Sequence, residues 1–221
     1  MAGRPLRDRL VRRARKAGAS LDSALASSFE NYLALLARWN AKINLTAFDL
    51  ADPNDEAIDR LLIEPLVAAK HLPARAATLI DIGSGSGSPA IPLRLAAPGT
   101  ALTMVEVKTR KAVFLSEALR HLNLPDGKVE TARYEELLTR PELHEGFDLL
   151  SIRAVRAEAR TLMTLQAFLR PGGQVFWFRG PSGPDIPGDL IYPMSWTATY
   201  PLVESLRSRL VVMTKAPVRS R

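Results

Sequence analysis

The stretch DIGSGSGSPAIP, Asp81–Pro92, decides the fold, because it places three glycines within five residues directly after a short apolar run. Glycine adopts backbone conformations that other residues avoid, and it lets a ligand come close to the main chain. The preceding run, ATLIDI at 77–82, has the length and composition of a buried strand, whereas PAIPLRLAA after the turn indicates a helix. In an open parallel sheet, ligands bind beyond the carboxyl ends of the strands, so this turn predicts a binding site.

Further apolar runs of strand type follow this unit and alternate with helical segments. Such alternation predicts an α/β fold, with a mostly parallel sheet covered by helices on both faces. The last two runs have no helix of any length between them, which predicts an antiparallel hairpin at the sheet edge. The seven predicted strands lie at 77–82, 100–107, 128–132, 147–152, 172–178, 190–196 and 209–215.

The chain ahead of the sheet is predicted to be helical. Apolar residues recur at helical spacing from 20 to 38, with Ser20 as the candidate cap, and again from 58 to 72. We therefore predict a division into residues 1–72, a basic tail with a helical extension, and residues 73–221, the domain that contains the sheet.

Composition and charge narrow the class of protein. The absence of cysteine excludes disulfides, thiolate metal sites and a cysteine nucleophile. The 221 residues contain neither an apolar run long enough to span a membrane nor the apolar core of a secretory signal, so a cytoplasmic protein is expected. The net charge is +7, and basic residues crowd the N-terminus, which suits either a polyanionic partner or a solvated tail. These N-terminal residues are Arg4, Arg7, Arg9, Arg12, Arg13, Arg15 and Lys16, opposed by Asp8.

The ligand of the glycine turn is indicated by two acidic residues. The turn reads G-x-G-x-G, and Ser88 stands where a dinucleotide fingerprint would have its third glycine. Asp81 would repel a pyrophosphate but attract an ammonium group, and Glu106, ending the second strand, can accept the hydroxyls of a ribose. S-adenosylmethionine has both groups and no phosphate. The alternatives are a purely structural turn and a surface Glu106 paired with Lys108.

Several longer motifs carry a resemblance to one family. WNAKINLT at 39–46 matches the pattern W-N-x-x-I-N-L-T, and it is followed in order by DIGSGSGSP, EVKTRK, ARYEEL, SIRAV and LRPGGQVFWFRGP. With these motifs the chain resembles the bacterial small-subunit ribosomal RNA guanine-N7 methyltransferases, also called glucose-inhibited division protein B, over roughly residues 25–185.

The resemblance implies a cofactor, a substrate and a set of site residues. It implies a class I methyltransferase-like, Rossmann-like fold, in which residues 73–221 form the S-adenosylmethionine-dependent methyltransferase domain. It also implies S-adenosylmethionine as the cofactor, ribosomal RNA or the small ribosomal subunit as the partner, and action as a monomer. Neither a metal nor a membrane is expected from the residues themselves. Lys108, Arg110 and Lys111 would face RNA phosphates or stabilise the second helix. The charge of the N-terminus, rather than the resemblance, adds Arg12 and Arg13 as candidate RNA-binding residues. The methionine and ribose part of the cofactor would be lined by Asp81 and by the turn residues Gly83, Gly85, Gly87 and Ser88. Glu106 would bind the ribose, and the backbone of Tyr134 and Glu135 would contact the adenine. Arg153 would lie at the mouth of the active site.

The chain departs from the family pattern at several positions. Ser88 and Ala90 replace an apolar residue and a glycine, and Arg179 replaces a lysine. The family pattern H-F-x-D-S appears as LLIEP at 61–65, without the histidine. These departures motivate two alternatives: a methyltransferase-fold enzyme that acts on a small molecule or a protein, and an RNA-binding module without catalysis.

The chemistry expected at the acceptor follows from what the site lacks. Enzymes that methylate exocyclic amines usually have an N-P-P-Y-like turn after the fourth strand, and SIRAV at 151–155 does not provide one. Guanine N7 carries a lone pair and no proton, so its methylation requires positioning rather than a general base. Arg153 is the candidate catalytic residue, donating to guanine O6, a phosphate or the cofactor carboxylate. The alternative is a salt bridge from Arg153 to Asp148 or Glu158.

Three further sets of residues are given no part in the chemistry. Trp39 is expected to anchor the core, and Asn40 and Asn44 to orient the segment that covers the cofactor. The histidines, His71, His121 and His144, show no metal-binding spacing.

Overall fold

A computed structural model describes residues 5–74, 76–153, 159–181 and 192–217 of the chain. Within these ranges, seven strands form a single sheet. The strands are β1 (Thr78–Ile82), β2 (Ala101–Val105), β3 (Gly127–Glu130), β4 (Phe147–Arg153), β5 (Leu169–Arg179), β6 (Met194–Pro201) and β7 (Arg209–Lys215).

The sheet has the order β3-β2-β1-β4-β5-β7-β6, with β1 to β5 parallel and β7 antiparallel to both of its neighbours. The predicted fold class is therefore confirmed. The chain runs outward from β1 to β3 and then returns to the other side of β1 with β4. This reversal makes a crevice at the carboxyl end of β1, where the glycine turn begins.

The C-terminal hairpin is confirmed, but its first strand lies later than predicted. β6 begins at Met194 and continues through alternating polar residues to Pro201, whereas the apolar run had indicated 190–196. An edge strand with one solvated face is not continuously apolar, so the hydrophobic run marked only its start. Residues 190 and 191 lie outside the described part of the chain.

Eight helices of the described chain flank the sheet. Among these residues, no helix combines the length and apolar character that a membrane crossing requires. The helices are α1 (Leu6–Lys16), α2 (Ser23–Ile43), α3 (Asp55–Ile58), α4 (Glu64–Ala68), α5 (Ala90–Ala96), α6 (Thr109–His121), α7 (Tyr134–Leu137) and α8 (Ala159–Leu165).

Helices cover both faces of the sheet, as predicted. Alternate residues of each strand point to opposite faces: in β1, Leu79 belongs to one hydrophobic cluster and Ile80 to the other. The first cluster packs against α1, α2, α4, α5 and α6, and the second packs against α7 and α8. Both faces are therefore dry, which explains why the parallel strands read as continuous apolar runs.

The N-terminal helices begin at different caps from the one predicted. Asp22, rather than Ser20, caps α2, and its side chain accepts a hydrogen bond of 2.8 Å from the Leu25 amide. The region predicted as a basic tail contains α1, which buries Leu10 and Ala14 in the first cluster. That cluster includes residues on both sides of the predicted division at 72/73, which itself stays a prediction.

The segment from 55 to 71 is not the regular helix that its periodicity predicted. A single turn of π-helix, Asp59–Ile63, separates α3 from α4, and a 3-10 turn, Ala69–His71, ends the segment. A π-helical turn inserts an extra residue into the helix and commonly occurs at functional sites. Here it directs the Leu61 carbonyl toward Ser88, in the turn after β1, and the Arg60 carbonyl toward Arg153, which ends β4.

Candidate active site

The glycine turn lies at the carboxyl end of β1, against the end of β2. The Gly83 and Ser84 amides donate to the Val105 carbonyl at 2.9 and 3.0 Å. Gly83, Gly85 and Gly87 have φ angles of +75°, +52° and +86°, in the left-handed region that favours glycine. At Gly87 a Cβ atom would also lie 2.6 Å from the Ile91 side chain. The turn therefore requires glycine and exposes main chain to the crevice.

Asp81 carries a buried oxygen that nothing in the described chain satisfies. The Ser151 hydroxyl donates to Asp81 Oδ1 at 2.5 Å, while Oδ2 has no hydrogen-bond partner among the described residues. Burial raises the pKa of Asp81 to about 6, although hydrogen bonds from Ser151 and Ser84 and the charge of Arg153 oppose the shift. An unpaired buried carboxylate oxygen is costly, so a cationic ligand group at this point would stabilise the site.

Glu106 lies directly after β2 and faces the turn. Its Oε2 accepts from the Gly85 amide and its Oε1 from the Lys108 amide, each at 2.9 Å. The predicted alternative, an ion pair with the Lys108 ammonium, is replaced by this bond to the Lys108 main chain. Each carboxylate oxygen can accept a second hydrogen bond, so the buried Glu106 is fixed in place with capacity left for two hydroxyls.

The residues predicted to meet an adenine lie beyond the next strand. Tyr134 and Glu135 form the first turn of α7, where amide groups have no partner within the helix. Tyr134 is half-buried and Glu135 is exposed. The structure thus leaves the main chain of both residues at the carboxyl edge of β3, and their contact with a ligand stays a prediction.

Ser88 ties the glycine turn to the π-helical segment. Its buried hydroxyl donates to the Leu61 carbonyl at 2.8 Å. A second tie, which the sequence reasoning missed, comes from α2: the fully buried Tyr32 donates its hydroxyl hydrogen bond to the Ser86 carbonyl at 2.7 Å. Burial raises the pKa of Tyr32, so the phenol stays protonated as this donor. N-terminal helices therefore hold the turn from outside the sheet.

Arg153 ends β4 and is engaged on several sides. Its Nη1 donates to the Arg60 carbonyl, its Nη2 lies 2.9 Å from Glu64 Oε2, and its guanidinium lies 4.8 Å from the centre of the Phe178 ring. Burial lowers the pKa of Arg153, and the charge of Glu64 opposes that shift.

Of the two predicted alternative partners of Arg153, Asp148 is wrong and Glu158 lies outside the described residues. Asp148 pairs instead with Arg170 at 2.9 Å, and its other oxygen accepts from Thr78, while Glu158 is not among the described residues. The partner that the prediction missed is Glu64, which is 1% exposed and also pairs with Arg60 at 3.1 Å. Glu64 stands where the family pattern H-F-x-D-S has its aspartate, a signal that was present in the sequence.

The predicted RNA-binding residues divide into exposed and enclosed groups. Lys108 and Arg110 are exposed at the start of α6, and Lys111 is half-buried. Arg12 is 47% exposed, whereas Arg13 is 11% exposed and binds Asp59, a residue that is itself 1% exposed. Because Arg13 is enclosed by this ion pair, we correct its predicted role from RNA contact to structural support.

The remaining predictions concern the core and the histidines. Trp39 packs edge-on against Phe114 and contacts the first cluster, as expected of an anchor. Asn40 accepts hydrogen bonds from the Leu45 and Thr46 amides, while Asn44 ends α2 with a φ of +33°. In the ranges that the structure describes, acidic and histidine side chains form no group able to hold a metal ion.

Sequence comparison identifies the family. The family model described as rRNA small subunit methyltransferase G matches residues 25–185. The ribosomal RNA small subunit methyltransferase G of Xanthomonas euvesicatoria is 38% identical over 161 residues, which cover 73% of this chain and 72% of that protein. The chain belongs to the rRNA small subunit methyltransferase G family. The protein of the same name from Stenotrophomonas maltophilia is 38% identical over 168 residues, covering 74% of this chain and 73% of that protein.

Solved structures support the fold of this rRNA small subunit methyltransferase G family member. A SAM-dependent methyltransferase from Aquifex aeolicus has a TM-score of 0.51 at 15% identity, covering 69% of this chain and 89% of that one. The mitomycin 7-O-methyltransferase has a TM-score of 0.58 at 16% identity, covering 94% of this chain and 68% of that one. Both similarities show the class I methyltransferase fold.

The residues of the site fit the methyl donor of this methyltransferase family, S-adenosylmethionine. Asp81 Oδ2 offers a buried acceptor for an ammonium group, Glu106 offers two oriented carboxylate oxygens for a ribose, and the glycines leave the main chain between them uncovered. Two of the positions that differ from the family pattern are in contact. The Ser88 hydroxyl donates to the carbonyl of Leu61, the residue that stands where the family has its histidine.

Proposed function

We propose that this member of the rRNA small subunit methyltransferase G family transfers a methyl group from S-adenosylmethionine to N7 of a guanine in small-subunit ribosomal RNA. The observation that carries the proposal is the unsatisfied Asp81 oxygen beside a glycine turn that Glu106 closes. Family membership supports the substrate, because the relatives are named as methyltransferases of small-subunit ribosomal RNA.

The donor side of the reaction depends on binding and alignment. When bound, S-adenosylmethionine supplies an electrophilic methyl group. Asp81 holds the cationic amino-acid end, Glu106 holds the ribose, and the amides at the start of α7 fix the adenine position at Tyr134 and Glu135. The turn is braced by Tyr32 and by the bond from Ser88 to Leu61, so it is preorganised rather than assembled on binding.

The acceptor side needs no proton transfer. Guanine N7 has no hydrogen to lose, and the described residues around Arg153 offer guanidinium donors together with one carboxylate, Glu64, that two arginines share. We propose Arg153 as the catalytic-site residue that holds Ser88 and the Arg60 backbone in register at the mouth of the site. Its Nη1 lies 3.4 Å from Ser88 Oγ.

The RNA side of the proposal uses exposed cations near the carboxyl edge of the sheet. Lys108 and Arg110, with Lys111, begin α6 directly after Glu106, and Arg12 adds a charge on α1. Each phosphate that such residues neutralise releases counterions, so binding will weaken as salt increases. We further propose action as a monomer in the cytoplasm, where either ribosomal RNA or the assembled small subunit is the substrate.

One experiment tests this proposal against its alternatives. The enzyme is incubated with labelled S-adenosylmethionine and undermethylated small-subunit RNA, with and without ribosomal proteins, and the methylated base is mapped. We expect label at N7 of one guanine. Label on a protein or a metabolite would instead support a methyltransferase-fold enzyme that acts on a protein or a small molecule. Saturable RNA binding without any label would support an RNA-binding module without catalysis. A variant with Glu106→Ala provides the matched cofactor-binding control.

A further inference from the structure

The arginine that is free to read the acceptor base is Arg60 rather than Arg153. Arg153 donates from Nη1 to the Arg60 carbonyl, lies 2.9 Å from Glu64 and packs over Phe178. Its Nε and Nη2 have no hydrogen-bond partner in the described chain, but both atoms are buried and are not open to an entering base. Among the described residues, the Arg60 side chain hydrogen-bonds to one partner: its Nη1 donates to Glu64 Oε1 at 3.1 Å. Within the described chain, its Nη2 and Nε groups donate to no acceptor, and the side chain is 26% exposed.

Arg60 lies at the edge of the sheet where an acceptor would enter. A Cβ placed on Gly180 would be 3.5 Å from Arg60 Nη2, so the guanidinium packs beside the first residue after β5. Phe178 of β5 pairs in register with Arg153 of β4, and β4 lies next to β1 and its glycine turn. The Arg60 guanidinium therefore lies at the carboxyl ends of the strands, on the β5 side of Arg153.

The charge and the partial burial of the Arg60 guanidinium favour a contact with the edge of a base over a contact with a phosphate. Two arginines share one carboxylate, which leaves the cluster of Arg60, Glu64 and Arg153 with a net charge of +1. The fixed, partly buried Arg60 differs from the exposed Lys108 and Arg110, which are free to follow a phosphate backbone. A guanidinium donating to guanine O6 reads the acceptor that distinguishes guanine from adenine in that position, and it leaves N7 open for methyl transfer.

We propose that Arg60 binds O6 of the target guanine, with Glu64 as the positioning residue that orients its guanidinium. This inference rests on the proposed function, and it deepens that function by naming the residue that selects the base. Arg60 touches the substrate without taking a proton, and no bond to it is made or broken.

The test compares Arg60→Gln and Arg60→Lys with Arg120→Gln, which removes the same charge from the exposed last turn of α6. Initial rates on undermethylated small-subunit RNA give kcat/KM at several salt concentrations, and calorimetry gives the Kd for S-adenosylmethionine. Loss of one charge-assisted hydrogen bond predicts a fall in kcat/KM of about tenfold to a hundredfold for Arg60→Gln, with partial rescue by lysine. The Kd for the cofactor, the Tm and the activity of Arg120→Gln are expected to stay within about twofold or a few degrees of the wild type.

Salt dependence separates the base from the phosphate. A base-edge contact leaves the slope of log kcat/KM against log salt unchanged, whereas a lost phosphate contact lowers its magnitude by about 0.7 to 0.9. A lowered slope, an unchanged kcat/KM or a parallel loss of cofactor affinity would each overturn the assignment of Arg60 to guanine O6. If the wild-type enzyme transfers no label to RNA, the proposed function fails first, an outcome that its inactivity distinguishes from failure at Arg60 alone.

Discussion

Asp81 combines two properties that rarely occur together in a folded protein: its carboxyl group is buried, and one of its oxygens has no hydrogen-bond partner in the described chain. Burial raises the pKa of this carboxyl to about 6, compared with an ordinary value near 3.8. The Asp81 carboxyl therefore takes up a proton at a higher pH in the folded protein than in the unfolded chain. Stability from this group is present below the unfolded pKa and is lost as the pH rises through 6.

The substitution Asp81→Asn is expected to stabilise the ligand-free protein while weakening cofactor binding. A shift of about two pKa units corresponds to about 3 kcal/mol, so the free energy of unfolding at pH 8 should increase by up to that amount. The gain should shrink as the pH falls from 6 toward 4, because the wild-type carboxyl is then protonated as well. Urea unfolding at pH 5 and pH 8 measures the difference, and the exposed Asp126 provides Asp126→Asn as the control.

The same variant should bind S-adenosylmethionine about tenfold to a hundredfold more weakly at pH 8, because a charge-assisted bond to the ammonium group is lost. In the wild type, affinity should fall as the pH drops below about 6, where Asp81 takes up a proton. Calorimetry across pH 5 to 8 checks both effects. Cofactor affinity that is the same in variant and wild type would remove Asp81 from the binding site.

Glu106 provides a second test at the residue scale. Glu106→Ala removes both acceptors for the ribose, and it also leaves the Gly85 and Lys108 amides without their bonds. We expect cofactor binding to weaken by roughly 1–3 kcal/mol. Calorimetry with S-adenosylmethionine measures the loss, and Glu142→Ala, at an exposed position outside the proposed site, serves as the control. An unchanged affinity in the Glu106 variant would argue that the ribose lies elsewhere.

At the scale of elements, α1 supports the π-helical segment through buried charge. Arg13 binds Asp59 and lies 3.3 Å from both an Asp55 oxygen and the Ser205 hydroxyl, so one side chain joins α1, the π-helical turn and the loop before β7. The Leu61 and Arg60 carbonyls of the same turn hold Ser88 and Arg153. A continuous series of contacts thus connects α1 with the cofactor turn.

Removing one side of the Arg13–Asp59 pair is expected to be costly. Arg13→Ala leaves Asp59 buried without its main partner, and such losses typically destabilise a protein by about 3–5 kcal/mol. Urea unfolding of Arg13→Ala, Asp59→Ala and the double variant gives the coupling energy by a double-mutant cycle. Additive single effects would show that the pair contributes no coupling. Arg12→Ala, at a more exposed position of the same helix, is the matched control.

The elements of the sheet could be predicted because their signal is local. A strand buried on both faces is a short apolar run, so the observed bounds of β1 to β5 lie close to the predicted ones. The π-helical turn could not be found, because its apolar spacing is that of an ordinary helix. The position of β6 was also missed, since a solvated edge strand carries alternating polar residues.

For the molecule as a whole, the residues proposed for the donor site could be predicted from the sequence, but the contacts that support them could not. The glycines, Asp81 and Glu106 lie in register with two strands, so their proximity followed from the parallel topology. Tyr32 and Glu64 reach the site through contacts with residues 54 and 89 positions away, and no local pattern reveals such partners. Arg13 was assigned to RNA on charge alone, because the sequence does not show that a buried acid faces it.

The tie between Ser88 and the Leu61 carbonyl, together with that from Tyr32, also limits how this enzyme can be taken apart. A fragment that starts at residue 73 keeps the seven described strands, yet it loses Tyr32, the Leu61 carbonyl and Glu64, which anchor its donor pocket from outside. Grafting helices from a relative onto this sheet would replace those anchors as well, and so would alter methyl-donor affinity without touching a single glycine. Engineering the substrate specificity of this scaffold therefore means exchanging both halves together.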